Sequence, residues 1–120
     1  MIVAGFGFNG QARLDSLLEV MALAGPTPER VATLEPKAES AVFTTFAAAI
    51  GRPSVAIPAA EAQAQVTLTQ SDAARSAHGT GSVAEACALA AAGPGARLLG
   101  PRVISGDRTA TCALAEGGTR

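Results

Sequence analysis

The sequence has no tryptophan, no tyrosine and only 4 phenylalanines among its 120 residues. Proteins that stack single-stranded nucleic acid need aromatic faces, so that class of ligand is not expected. An excess of charge of one sign is missing too. Nine Lys and Arg stand against 10 Asp and Glu, for a formal net charge of −1, which leaves no basic footprint for a phosphate backbone. Only two cysteines are present, Cys87 and Cys112, far apart and in no CxxC or Cys/His cluster. A disulfide-stapled secreted domain would be denser in Cys, so a cytoplasmic protein with free thiols and no metal centre is expected. Long hydrophobic runs are absent as well. The apolar start Ile2-Val3-Ala4 has no basic segment before it and is soon interrupted by Asn9, Gln11, Arg13 and Asp15. Neither a signal peptide nor a membrane span is expected.

What is present is a hydrophobic fraction of 48% with 16% charged residues, enough to build a core. The length suits one domain, placed at residues 1–116, with Gly117 to Arg120 as a frayed tail. Ile2-Val3-Ala4 reads as a buried strand, ended by a loop from Gly5 to Gly10. Leu14, Leu17, Leu18 and Met21 recur at helical spacing until Gly25-Pro26. Arg30 to Leu34 reads as a second strand. Pro36 suits the first turn of a helix whose inner stripe is Ala38, Ala41, Val42, Thr45, Phe46 and Ala49, stopped at Gly51. Ser54 to Ile57 is a third strand, followed by a short Ala/Gln segment and a helical turn over Ser71 to His78. Ser82 to Ala92 is a helix with Val83, Ala86, Cys87 and Ala90 inward. Arg102 to Ser105 and Thr109 to Ala115 are strands joined by a two-residue turn at Gly106-Asp107. This order predicts a single three-layer α/β/α domain with a mixed, mostly parallel sheet and a C-terminal antiparallel hairpin.

Two glycine-rich segments carry the candidate chemistry. Gly5-x-Gly7-x-x-Gly10 has the spacing of a dinucleotide fingerprint, with Glu35 ending the second strand where a ribose-binding acid would sit. A small Rossmann-like dinucleotide- or phosphate-binding module is therefore one reading. The plainer one is a tight strand-to-helix turn with Phe6 and Phe8 packed into the core. Gly79-Thr80-Gly81-Ser82 precedes a helix and could offer N–H groups and hydroxyls to an anion. Ser82 and Glu85 have the spacing of a capping box, which competes with a catalytic role for Glu85. His78 reads as a helix-end residue. Lys37 is a cation near a helix N-terminus, against the usual preference, which makes it a ligand candidate beside the default of a solvated lysine.

Ile2 to Phe8, Lys37-Ala38, Gly79-Thr80-Gly81-Ser82-Val83-Ala84-Glu85-Ala86 and Thr111 to Ala115 together resemble the CobE/CbiG C-terminal domain family of cobalamin biosynthesis. The resemblance spans nearly the whole chain and is most specific at Gly79 to Ala86. It implies a precorrin-type tetrapyrrole as ligand, pathway methyltransferases as partners, and no cofactor. In longer relatives the domain belongs to a protein that opens the δ-lactone of cobalt-precorrin-5A with release of acetaldehyde; in short ones it stands alone. The family's Gly-x-Gly-x-Arg pattern is broken here by Asn9, with Arg13 expected one turn into the helix. Two roles stay open: binding or handling an intermediate, and lactone opening with Glu85 as base. The substrate-binding residues expected are Gly5, Phe6, Gly7, Phe8, Asn9, Arg13, Lys37, Gly79, Thr80, Gly81 and Ser82. They are placed on one crevice, donating chiefly through backbone N–H groups, hydroxyls, Lys37 and Arg13. Arg102 and Arg108 are expected on a far hairpin.

Overall fold

The computed structural model describes residues 1–118. The chain runs β1 (Ile2–Phe8), α1 (Leu14–Ala24), β2 (Arg30–Leu34), α2 (Glu35–Ala38), α3 (Ala41–Ile50), β3 (Ser54–Ile57), α4 (Ala59–Gln63), α5 (Asp72–His78), α6 (Val83–Ala92), β4 (Arg97–Leu98), β5 (Val103–Ile104) and β6 (Ala110–Glu116). One mixed sheet has the order β3-β2-β1-β6-β4, with β5 also on β6. β1, β2 and β3 are parallel; β6 is antiparallel to β1, β4 and β5. The two-residue β4 is too short to leave a periodic signal and was not predicted.

Side chains alternate along each strand, which sorts the core into two layers. Ala4 and Phe6, Val31, and Ala110, Cys112 and Leu114 point to one face, under Leu17 and Val20 of α1 and Phe43 and Phe46 of α3. Val3, Ala32, Leu34 and Ile57 point to the other, under Ala62 of α4 and Ala86 and Cys87 of α6. The expected three-layer α/β/α arrangement results.

The first strand is longer than predicted. Gly5 and Gly7 lie inside β1, so the loop begins only at Asn9. β6 pairs with β1 from Ile2 opposite Glu116 to Phe8 opposite Ala110, and a partner of that length outweighs the strand penalty of two glycines. The glycines serve packing. A Cβ on Gly5 would stand 2.0 Å from the Ala84 carbonyl oxygen and 2.4 Å from the Ala88 nitrogen, so α6 rides directly on the β1 backbone. For that reason Ala84 to Leu89 are buried in succession, beyond the expected inward face, while Val83 and Ala90 are only half-buried.

The helix predicted after Pro36 is two helices. Ser40 is extended (φ −65°, ψ 148°) and its hydroxyl donates to the Lys37 carbonyl at 2.7 Å, breaking the helix between α2 and α3. The break shifts the phase. Phe43, Phe46 and Ala47 face the core, while Ala41, Thr45 and Ala49 of the expected stripe are exposed.

The closing turn is wider than two residues. The Ser105 N–H donates to the Ala110 carbonyl, and the Arg108 N–H to the Ser105 carbonyl, each at 2.9 Å. Arg108 is the one non-glycine residue with positive φ, at 63°, among those described. At the C-terminus, the Gly117 N–H donates to the Met1 carbonyl at 3.0 Å. The rest of the expected frayed tail, Thr119 and Arg120, lies outside the described residues.

Candidate functional site

Open α/β sheets bind ligands over the C-terminal ends of their parallel strands. Here β1 ends at Phe8 and β2 at Leu34, and two adjoining depressions lie above them. One, of about 360 Å³, is floored by Gly7 and Phe8 of β1 and Val83 of α6, and walled by α5 and the β5–β6 hairpin. The other, of about 460 Å³, lies between Leu34, Pro36 and Lys37 on one side and Arg75 to Gly79 on the other. Ala77 and His78 of α5 line both, so the two adjoin there and together make up a two-lobed crevice.

The crevice is cationic. Lys37 and Arg75 line one depression, Arg102 and Arg108 the other. None of the four is in an ion pair: among the described residues the one salt bridge is exposed and remote, Arg97 with Glu116 at 2.8 Å. Arg75 is held by the Gln70 side-chain oxygen. The Lys37 ammonium lies 5.2 Å from the centroid of the Phe8 ring, a cation–π contact, and Phe8 stacks on Phe43 at 5.7 Å. Four of the nine Lys and Arg of a nearly neutral chain thus line this surface. Apolar floor atoms from Val83, Ile104, Ala77 and Phe8 complete it.

Placing Arg102 and Arg108 on a far hairpin was an error. Because β6 runs antiparallel to β1, the turn before it sits at the C-terminal end of β1, in the crevice. That inference was open to sequence reasoning, had the last strand been paired with the first. Arg75 and His78 were missed as lining residues because a short, weakly patterned helix gives no sign of which end of the sheet it caps.

The expected residues fall into four groups. Gly7, Phe8, Lys37 and Gly79 line the crevice. Gly5 and Phe6 are buried in the domain; Phe6 packs edge-on against Phe46 at 5.0 Å, and its ring faces the core. Asn9 and Arg13 are exposed in the β1–α1 connection. The Asn9 N–H donates to the Thr109 carbonyl at 3.0 Å, and its side chain accepts from the Gln11 N–H at 2.9 Å, so Asn9 is spent on local turns. Arg13 is the N-cap of α1, where it was expected one turn further in.

Thr80, Gly81 and Ser82 turn inward. All three are buried beneath the segment from Thr67 to Gln70, and a Cβ on Gly81 would stand 2.4 Å from the Thr69 carbonyl oxygen. Ser82 accepts the Glu85 N–H at 3.3 Å, but Glu85 does not reach back. Only half of the expected capping box forms.

The Glu85 carboxylate does something else. It is fully buried and accepts the Leu68 N–H at 2.7 Å, the Thr69 N–H at 2.9 Å, the Thr69 hydroxyl at 2.5 Å and the Arg102 N–H at 2.9 Å. Burial pushes the carboxyl up, but these donors outweigh it and hold it below the usual range. A carboxylate so fully engaged is a cross-tie between the segment leading to α5 and the residue Arg102, and it has no free lone pair aimed into the crevice.

The dinucleotide alternative loses its geometry. Its first two glycines are strand residues, and the remaining loop from Asn9 onward is tied to the hairpin at Thr109. Of that fingerprint only Gly10 stays in a loop, and α1 begins four residues later, at Leu14, so its glycines form no turn at the helix N-terminus. Among the described residues no group of three or more His, Cys, Asp or Glu side chains converges to hold a metal, and no helix is long and apolar enough to cross a membrane.

Comparison with known families decides what this fold is. Residues 2–115 match the family model described as cobalamin synthesis G C-terminus. The chain belongs to that family. Solved structures agree. CobE, described as a protein from the cobalamin (vitamin B12) biosynthetic pathway, superposes with a TM-score of 0.83 at 27% identity, over 96% of this chain and 92% of its own. The cobalamin biosynthesis protein chiG from Agrobacterium tumefaciens gives 0.76 at 32% identity, over 99% of this chain and 100% of its own. A cobalamin biosynthesis protein G homologue from Sulfolobus solfataricus gives 0.68 at 18% identity and shares the fold; the match covers 95% of this chain but 36% of that one. No curated protein sequence matches the chain. The protein is thus a member of a cobalamin biosynthesis family in which the domain occurs both alone and as part of a longer chain.

Proposed function

We propose that this protein binds a precorrin-type tetrapyrrole in the crevice above β1 and β2, as a holder of an intermediate in cobalamin biosynthesis. The observation that carries the proposal is the set of four cations, none in an ion pair among the described residues, around an apolar floor. Corrin precursors are flat apolar rings edged with acetate and propionate groups. Lys37 and Arg75 line one depression, and Arg102 and Arg108 line the other together with Phe8 and Val83. Charge-assisted hydrogen bonds to carboxylates are about twice as strong as neutral ones, and arginine takes them in pairs. Family membership supports the ligand class. A holder of this kind would serve the methyltransferases of the pathway.

Holding is favoured over lactone opening because the Glu85 carboxylate is consumed by four donors. The test is a spectroscopic titration of the isolated protein against purified corrin intermediates, with acetaldehyde assayed in parallel. Saturable binding without acetaldehyde is expected. Lys37→Ala should weaken it by about tenfold, the loss of one charge-assisted contact, with little change in stability. Absence of binding to every intermediate would remove the proposal. Acetaldehyde release from a lactone-bearing one would replace holding by catalysis.

A further inference from the structure

Arg108 combines an over-determined backbone with a free side chain. Its φ of 63° lies in the left-handed region, where residues with a Cβ are uncommon and glycine or asparagine is ordinary. The turn that carries it is held at several points. The Arg108 N–H donates to Ser105, and the neighbouring Asp107 carboxylate accepts the Ser105 hydroxyl at 2.6 Å, the Thr109 N–H at 3.1 Å and the Thr109 hydroxyl at 2.7 Å. Its other oxygen accepts the Ser16 hydroxyl at 2.5 Å, tying the turn to α1, and the Gly106 N–H donates to Glu19 on the same helix at 2.9 Å. The guanidinium, by contrast, makes no hydrogen bond or ion pair among the described residues, and the residue lines the crevice.

Unfavourable backbone geometry persists only where the surroundings enforce it, and it concentrates where a ligand is gripped. The local structure gains nothing from arginine at this position. We propose that Arg108 is a specificity-determining residue, held on a rigid turn so that its guanidinium meets a carboxylate on the hairpin edge of the ligand. Asp107 is its positioning residue. This rests on the crevice being the tetrapyrrole site, and it goes further. The site then distinguishes ligands by carboxylates on opposite edges, one set for Lys37 and Arg75 and the other for Arg108. A ring acid with carboxylates all round its rim binds, and the same ring with its carboxylates esterified does not.

The experiment uses the full chain and three porphyrin probes: the octacarboxylic acid, its octamethyl ester and a dicarboxylic acid whose acids lie on one edge. Wild-type protein is expected to bind the octa-acid at least tenfold more tightly than the ester or the one-edge diacid. Arg108→Gly and Arg108→Asn should melt at or above the wild-type temperature, because both tolerate the left-handed backbone. Both should lose about tenfold in octa-acid affinity and discriminate less against the diacid. Arg52→Ala, an exposed cation preceding β3 at the other end of the sheet, should change neither. Unchanged affinity in both Arg108 variants, with Lys37→Ala still weakening binding, would overturn the role of Arg108 and leave the crevice as the site. So would melting several degrees below wild type, which would show a structural side chain. A wild-type protein that binds no porphyrin at millimolar concentration overturns this proposal, and the proposed function falls with it only if the corrin intermediates also fail to bind.

Discussion

The buried Glu85 carboxylate accepts the backbone N–H of Arg102 at 2.9 Å, so a charge beneath the crevice fixes where one of its cations enters it. The same carboxylate takes two N–H groups and a hydroxyl from Leu68 and Thr69, just ahead of α5. The α5 and hairpin walls of the depression over Gly7 and Phe8 therefore both hang on one side chain.

Glu85→Gln should show this. The amide presents its NH2 group to N–H donors and loses the charge. Stability should fall by about 2–3 kcal/mol, the scale of hydrogen bonds to an ionised group. Denaturant unfolding measures it, and a variant as stable as wild type would contradict the cross-tie.

Gly5→Ala should be among the most damaging single-methyl additions available. The new Cβ meets backbone atoms of α6 that have no side-chain freedom to yield. Overpacking of this kind costs about 3 kcal/mol. Gly10→Ala, with nothing within 4 Å, is the matched control and should be nearly silent.

Acid should loosen the molecule. The Ser105 and Ser16 hydroxyls and the Thr109 donors hold the Asp107 carboxyl well below its usual range, and Glu85 is also lowered. For groups depressed on folding, the contribution to stability is complete above the ordinary carboxyl range and is lost as pH falls below it. Thermal melts should therefore be flat near neutrality and fall as pH drops below about 4, where unfolded carboxyls begin to take up protons. Asp107→Asn should flatten that fall, because it removes one of the two titrating groups.

Thiol chemistry should be silent in the native state. Burial pushes Cys87 up to about 12 and Cys112 further still, and neither is exposed. A thiol reagent at pH 8 should label neither in native protein and both in denaturant. Rapid native labelling would mean that the sheet faces open.

The parallel half of the fold was legible because its signals are local. Arg30 to Leu34 and Ser54 to Ile57 are apolar runs between turn residues, and both strands appear at those bounds. Ser71 gives α5 its cap, accepting the Ala74 N–H at 3.2 Å, within the segment expected to be helical. Ser40 was misread for the converse reason. Nothing in the pattern from Ala38 to Ala49 marks a serine that breaks a helix by bonding back to Lys37, and the phase error moved Phe43 off the inner stripe. Of the crevice lining, Phe8 and Lys37 were named as candidates from loop position and an out-of-place charge. Thr80 and Ser82 were put on the surface because glycine-flanked hydroxyls look the same in sequence whether they face a ligand or a buried strap.

Composition and periodicity alone determined the class of the fold, the run of alternating elements and the chain's lack of any broad charge to steer a ligand. Tertiary structure decided the rest through one non-local event, the insertion of β6 antiparallel beside β1. That pairing drew Gly5 and Gly7 into a strand, set α6 directly on their backbone and carried Arg102 and Arg108 to the C-terminal end of the parallel strands. Strand pairing across the length of a chain depends on hydrogen bonds and burial that exist only once both partners are assembled, so no window of neighbouring residues contains the information.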